Sequence, residues 1–281
     1  MGLTVGKIFS GVITAIRQRP GSLLGMWAAY AALFVAAIVG LGLAVGIGGI
    51  AGLASGGESG AGLMALGAGV VIAMIAFYVL YLALMMAQYG ALCALASPLQ
   101  SPSFGEAFAT GWRSVPTLLG ATLLLALVYI IVLSIVTAIG GEGSAISGIL
   151  SLVVFVAIIY FACRLIVMVP LVAVEGKRGP INIIRQSWDM TRGNALPIFL
   201  SVLVFGVLLI VMALVLILPF AGGLGGMMMG GEGPAFASLA LFFVGICVFA
   251  ALATMVQAAL GAVVHAELNG STGVNVEETF G

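Results

Sequence analysis

The chain has 281 residues, 63% of them hydrophobic and only 6% charged, with a mean hydropathy of +1.33. A soluble domain carries about 25% charged residues, so this composition cannot supply a water-facing surface, and a soluble two-domain reading of the length is excluded. Nine Lys and Arg balance nine Asp and Glu, which leaves no basic footprint for nucleic acid.

In chain order, the first feature is a short segment with apolar residues at helical spacing, Ile8, Phe9, Val12, Ile13 and Ile16, and with Lys7 and Arg17 at other positions. Arg19-Pro20-Gly21 breaks it. The apolar run beyond is far longer than the ~7–15 residues of a signal-peptide core, so it is expected to remain as a span. Six runs are long enough to cross a bilayer, which takes about 20 residues: 23–50, 63–96, 117–139, 146–174, 196–220 and 235–266. None alternates apolar and polar residues as a transmembrane barrel strand would. The second exceeds one perpendicular crossing and is expected to tilt or project. In the first, small residues four apart at Gly42 and Gly46 would permit close helix approach.

Two further amphipathic segments precede the third and fifth runs. One carries Phe104, Phe108, Trp112 and Val115 beside Glu106 and Arg113; Ser103 and Glu106 form a capping box at its start, and Val115-Pro116 marks its expected end. The other carries Ile181, Ile184 and Trp188 beside Asn182, Arg185 and Asp189, with Pro180 at its first position and an end near Thr191-Arg192-Gly193-Asn194. Such stripes are expected to lie in the membrane interface, with Trp112 and Trp188 at headgroup level.

The loops after the first, third and fifth runs read Gly56-Gly57-Glu58, Gly140-Gly141-Glu142 and Gly230-Gly231-Glu232. Three such copies suggest triplication of one unit, over about 1–98, 99–175 and 176–281. The expected fold is therefore an all-α membrane protein in one polytopic domain. Its six transmembrane helices form three hairpins, each preceded by a cytoplasmic interfacial amphipathic helix, with a pseudo-threefold repeat along the membrane normal. Those three loops hold no Lys or Arg, whereas Lys7, Arg17, Arg19, Arg113, Lys177, Arg178, Arg185 and Arg192 fall at the opposite ends of the spans. Positive-inside bias places both termini in the cytoplasm.

Within the spans, Gln88, Arg164 and Gln257 fall at comparable depth, about 15 Å from the cytoplasmic ends at 1.5 Å per residue. An Arg at a helix centre costs about 2.5–3.5 kcal/mol to insert. Two readings stay open: a polar layer joining the three around the repeat axis, or a snorkelling Arg and two unrelated interhelical glutamines. No catalytic, metal-binding or cofactor-binding residue is assigned. His265 has only Glu267 nearby in sequence, too few ligands for a metal, and reads as a solvated cap. Cys93, Cys163 and Cys247 lack CxxC spacing, and no Walker A or dinucleotide fingerprint is present.

The stretch Val169-Pro170-Leu171-Val172-Ala173-Val174-Glu175-Gly176-Lys177, continued by Gly179-Pro180-Ile181 and Arg185-Gln186-Ser187-Trp188-Asp189-Met190-Thr191-Arg192-Gly193-Asn194, resembles a bacterial integral-membrane family. That family includes the membrane domain attached to some glycerophosphoryl diester phosphodiesterases. Its pattern is a span ending in Pro and an EG pair, then an amphipathic helix with a Trp and a basic-Gly end; Met190 stands where Leu is usual. The catalytic barrel is missing, so the family's phosphodiesterase activity is not carried over to this chain. Physically the motif is an elbow: Pro170 and Glu175 end a span, Gly176 and Gly179 permit the turn, Trp188 anchors the next helix, and Arg185 and Arg192 have Glu175, Asp189 or lipid phosphates as available partners. The expected role is a non-catalytic structural or lipid-associated scaffold of the bacterial inner membrane. Lipid contacts are expected at Arg17, Trp112, Arg113, Arg185, Trp188 and Arg192, with membrane lipids as partners and an unidentified protein partner left open. A transporter or channel for a small or amphiphilic solute along the repeat axis is the alternative, and an intramembrane enzyme stands third.

Overall fold

A computed structural model describes the backbone of residues 3–54, 60–140, 145–228 and 235–280, and side chains over 3–43, 45–46, 69–140, 148–216 and 240–270. Among the described residues the fold is all-α. In chain order the described elements are α1 (Val5–Gln18), α2 (Pro20–Ala54), α3 (Gly60–Ala96), α4 (Phe104–Gly140), α5 (Ala145–Arg164), α6 (Met168–Ala173), α7 (Pro180–Met190), α8 (Ala195–Met228) and α9 (Ala235–Phe280). Six stretches among them are long and apolar enough to cross a membrane: Pro20–Leu43, Gly69–Ala96, Phe104–Gly140, Gly148–Ala173, Ala195–Leu216 and Ala240–Gly270. They coincide with the six apolar runs of the sequence. Glu58, Glu142 and Glu232, on which the repeat rests, lie outside the described residues.

The distribution of burial explains how such a chain is stable. Large apolar side chains stay exposed along one half of each span, for example Ile72, Tyr78, Ile130, Ile139, Phe155, Val207 and Phe243. Contiguous apolar surface on this scale is untenable in water, whereas in hydrocarbon, helices with every backbone bond made internally need no cover. The buried residues gather toward the other half, from Leu84 to Ser97 in α3, Ala107 to Ala121 in α4, Cys163 to Ala173 around α6, and Ala251 to Leu268 in α9. The core therefore sits at the end that also carries α1, α6 and α7.

Small residues set the closest approach there. Gly90 of α3 faces Gly111 of α4, and a Cβ at Gly111 would overlap the Ala87 carbonyl and come within 2.8 Å of Tyr30 Oη. Gly42 and Gly46, by contrast, have nothing within 4 Å of a built Cβ. The tight seam is thus between α3 and α4, not at the glycine pair in α2.

The amphipathic segments differ from expectation in two ways. On α1, Ile8 and Val12 are completely buried, and Gly11 abuts Val263 of α9. Phe9 stacks on Phe205 of α8 at 5.5 Å. The stripe read as lipid-facing is protein core along Ile8, Val12 and Ala15. The second segment is not a separate helix: α4 runs unbroken through Pro116. Proline removes one backbone bond and crowds the preceding turn, but freed groups can be met by neighbouring side chains within a membrane protein. The carbonyl that loses its partner is that of Trp112, four residues back; next to it, Arg178 donates from Nη1 to the Arg113 carbonyl. The capping box at the start of α4 is present: Ser103 N–H donates to Glu106 Oε2 at 2.7 Å, and Glu106 N–H faces Ser103 Oγ at 3.4 Å.

Candidate functional site

Two clusters of polar side chains occupy the packed end of the bundle, and both are organised by the elbow between α5 and α8. The first begins where α5 stops. Leu165 to Val167 form a turn before α6 resumes, and Met168 N–H bonds the Leu165 carbonyl instead of continuing the α-helical ladder to Arg164. The Arg164 carbonyl is freed inside the protein, where an unmet acceptor costs about 1–3 kcal/mol. Two hydroxyls of α7 and its cap meet it: Ser187 Oγ at 2.8 Å and Thr191 Oγ1 at 3.1 Å. Ser187 and Thr191 are completely buried.

The Arg164 side chain turns the same way. It is only 6% exposed, its guanidinium carbon lies 4.4 Å from the Trp188 ring centroid and 5.7 Å from that of Tyr160, and Nη1 donates to Thr191 Oγ1 at 3.4 Å. Trp188 completes the cluster against Tyr160 and Phe161, at 5.8 and 5.4 Å. A cation over aromatic faces is attracted by about 2 kcal/mol when desolvated, which offsets part of the cost of holding it at this depth. Of the three residues considered for a polar layer, Gln88 is buried and Gln257 exposed. Among the described residues no hydrogen bond joins any two of Gln88, Arg164 and Gln257. Tyr89 Oη instead donates to the Gln257 backbone carbonyl at 3.1 Å.

The second cluster closes the elbow onto α9. Val174 follows α6, and positive φ at Gly176 (68°) and Gly179 (93°) turns the chain into α7, a backbone conformation that glycine alone adopts without cost. Glu175 points back at α9. Its Oε1 lies 2.7 Å from His265 Nε2 and accepts from Asn269 Nδ2 at 3.1 Å. Gln186 Nε2 lies 3.5 Å and Lys177 Nζ 4.0 Å from Oε2. His265 is fully buried, so it is not the solvated cap that its place near the end of a span implied; the Glu175 side chain is 23% exposed. Burial pushes the Glu175 carboxyl upward, but hydrogen bonds from Asn269 and His265, with the His265 and Lys177 charges, outweigh it and hold the group below its ordinary range. Neither Arg185 nor Arg192 pairs with Glu175 or Asp189 among the described residues; both are exposed, as are Arg17, Trp112 and Arg113. Pro170 is buried in α6.

His265 and Asn269 were not legible as a site, because their carboxylate partner stands 90 residues away in sequence. The available signal was their spacing of four on one helix, which aligns two donors on one face. Among the described residues, no group of three His, Cys, Asp or Glu is placed to hold a metal ion.

A six-span helical membrane protein whose packed end is tied by an elbow is the class that this architecture defines. Residues 142–272, from before α5 into α9, match the model of the family described as the membrane domain of glycerophosphoryl diester phosphodiesterase. Over those residues the chain is similar to that family's membrane domain, as the elbow sequence implied; the match is to the membrane domain and not to the catalytic domain. No curated protein and no solved structure matched the chain.

Proposed function

We propose that this protein is a non-catalytic, lipid-associated scaffold of the bacterial cytoplasmic membrane, with both termini and the packed end of the bundle on the cytoplasmic side. Its six spans form three hairpins derived from one triplicated unit. The observation that carries this reading is the exposure of Arg17, Arg113, Arg185 and Arg192 at the packed end, while the opposite halves of the spans present large apolar side chains and, among the described residues, no charged one. Near an anionic leaflet each Lys or Arg contributes about 1 kcal/mol. Four such residues with the exposed Trp112 fix the depth and tilt of the bundle and gather acidic lipid around it. Positive-inside bias supports the orientation, and the family match supports membrane residence without assigning a reaction.

The test is the purified protein in liposomes of mixed zwitterionic and anionic lipid. Retained anionic lipid is expected to fall in Arg113→Ala/Arg185→Ala relative to wild type, with no solute flux from either. Specific, saturable flux with unchanged lipid content would replace this reading with transport along the axis between the helices.

A further inference from the structure

A cleft of about 450 Å³ opens at the packed end between α1, the α3–α4 connection and α9. It falls in the size range of small-ligand sites, and its chemistry is unlike the rest of the molecule. One face of α1 lines it through Lys7, Ser10, Thr14 and Gln18, spaced three or four apart, with Arg19 just beyond the helix. This face is adjacent to the core stripe of Ile8, Val12 and Ala15, whereas Arg17 projects elsewhere. The facing wall contributes Ser97 and Ser101 from the end of α3 and the loop after it, and Glu267 from α9.

Charge balance within the cleft is incomplete. Among the described residues neither Lys7 nor Arg19 makes an ion pair, and Glu267 pairs with neither. Arg19 is nevertheless positioned: its Nη1 donates to the Pro102 carbonyl at 3.3 Å, leaving the other guanidinium donors for a further acceptor. Two cations and a set of hydroxyl donors suit an anionic group with several acceptor oxygens. The opposing Glu267 suits a ligand that also donates, through a hydroxyl or an ammonium. The cleft lies where apolar helices begin and end, beside Pro20 at the start of α2 and Ala96 at the end of α3, which is the level of lipid headgroups.

We propose that this cleft binds a phosphodiester headgroup, with Lys7 and Arg19 on the phosphate oxygens, the Thr14, Ser97 and Ser101 hydroxyls completing their hydrogen bonds, and Glu267 accepting from the hydroxyl or amine of the headgroup. The inference rests on the reading that this end of the bundle faces the inner leaflet, and it adds a stoichiometric site to the diffuse attraction at Arg113 and Arg185. The same chemistry comes from two sources, a membrane phospholipid and a soluble glycerophosphodiester.

The full chain in nanodiscs of phosphatidylcholine with a minor share of phosphatidylglycerol tests the site, with bound lipid counted by native mass spectrometry after detergent release. Wild type is expected to retain about one phosphatidylglycerol per chain. Lys7→Gln/Arg19→Gln is expected to lower that occupancy about tenfold, the effect of losing about 1.4 kcal/mol. Lys177→Gln, outside the cleft and apart from the four exposed arginines, is expected to leave it unchanged. Thr14→Ala/Ser101→Ala, which keeps every charge, provides a second variant should the charge variant fail to fold, and is expected to lower occupancy as well. Calorimetric titration with glycerophosphoglycerol separates the sources: saturable binding without acyl chains identifies the soluble diester, and its absence beside retained lipid identifies the phospholipid. Equal retention in wild type and both cleft variants, or retention lost equally in Lys177→Gln, would overturn the site. Loss confined to Arg113→Ala/Arg185→Ala would overturn it too while sustaining the scaffold reading. Loss confined to the cleft variants would sustain the site and not the diffuse attraction.

Discussion

Removing the Glu175 carboxylate unties the elbow from α9, and the size of the effect follows from the contacts. Oε1 meets His265 Nε2 at 2.7 Å and Asn269 Nδ2 at 3.1 Å, and hydrogen bonds to a charged group are worth about 1.5–3 kcal/mol each. The side chain is 23% exposed, so water recovers part of the loss for the carboxylate. It does not do so for His265, which is fully buried and whose Nδ1 has no partner among the described residues. The expected destabilisation for Glu175→Ala is about 2–3 kcal/mol, read from SDS unfolding of the full chain in mixed micelles followed by far-ultraviolet circular dichroism. Because the folded carboxyl titrates below its ordinary value, its contribution is complete above the unfolded value of about 4.3 and is lost as pH falls through the folded one. Wild-type stability should therefore show no Glu175-dependent slope above about pH 5 and a falling one below it, and Glu175→Gln should abolish that slope. A loss under about 0.5 kcal/mol, the range of an ordinary surface substitution, or an acid limb unchanged in Glu175→Gln, would refute the reasoning.

Three other outcomes are expected. Gly111→Ala should destabilise by about 2 kcal/mol or more through overpacking, because the added Cβ meets the Ala87 carbonyl, whereas Gly90→Ala, with nothing nearer than 3.5 Å, should stay within about 1 kcal/mol; the same SDS titration compares them. Arg164→Leu should cost about 1–3 kcal/mol by removing the cation from the Trp188 face and the bond to Thr191, with a change in tryptophan emission as the site-specific readout. Alkaline phosphatase fused near Glu142 should be active and a fusion near Arg185 inactive, which colony assays with matched expression controls would check.

What could be read in the sequence is what local chemistry decides. Apolar runs specify spans because lipid imposes length and excludes unpaired backbone, and the six candidate spans follow them. Ser103 with Glu106, Pro180 at the first turn of α7 and the elbow glycines all act within a few residues, and each stands where it was expected. Pro116 was misleading because a proline within a span need not end the helix, and α4 continues through it. The stripe on α1 had the correct period but an undetermined partner, since an apolar face looks alike whether it meets lipid or Val263. His265 and Arg164 were isolated polar residues in apolar runs, and only tertiary packing could reveal the carboxylate beside one and the indole beside the other.

The interruption after α5 has a bearing on how this chain is made. The Arg164 carbonyl receives its two hydroxyl donors from positions 23 and 27 residues farther along the chain, beyond the span to which it belongs. A chain ending at Glu175 would contain all of α5 and α6 with that oxygen still unmet by either hydroxyl. Translation must proceed past Thr191 before this crossing has its own backbone satisfied. The elbow helix therefore behaves in biogenesis as the last piece of the preceding span as well as the entry to the next, and truncations for expression should be placed after residue 194 or before residue 145.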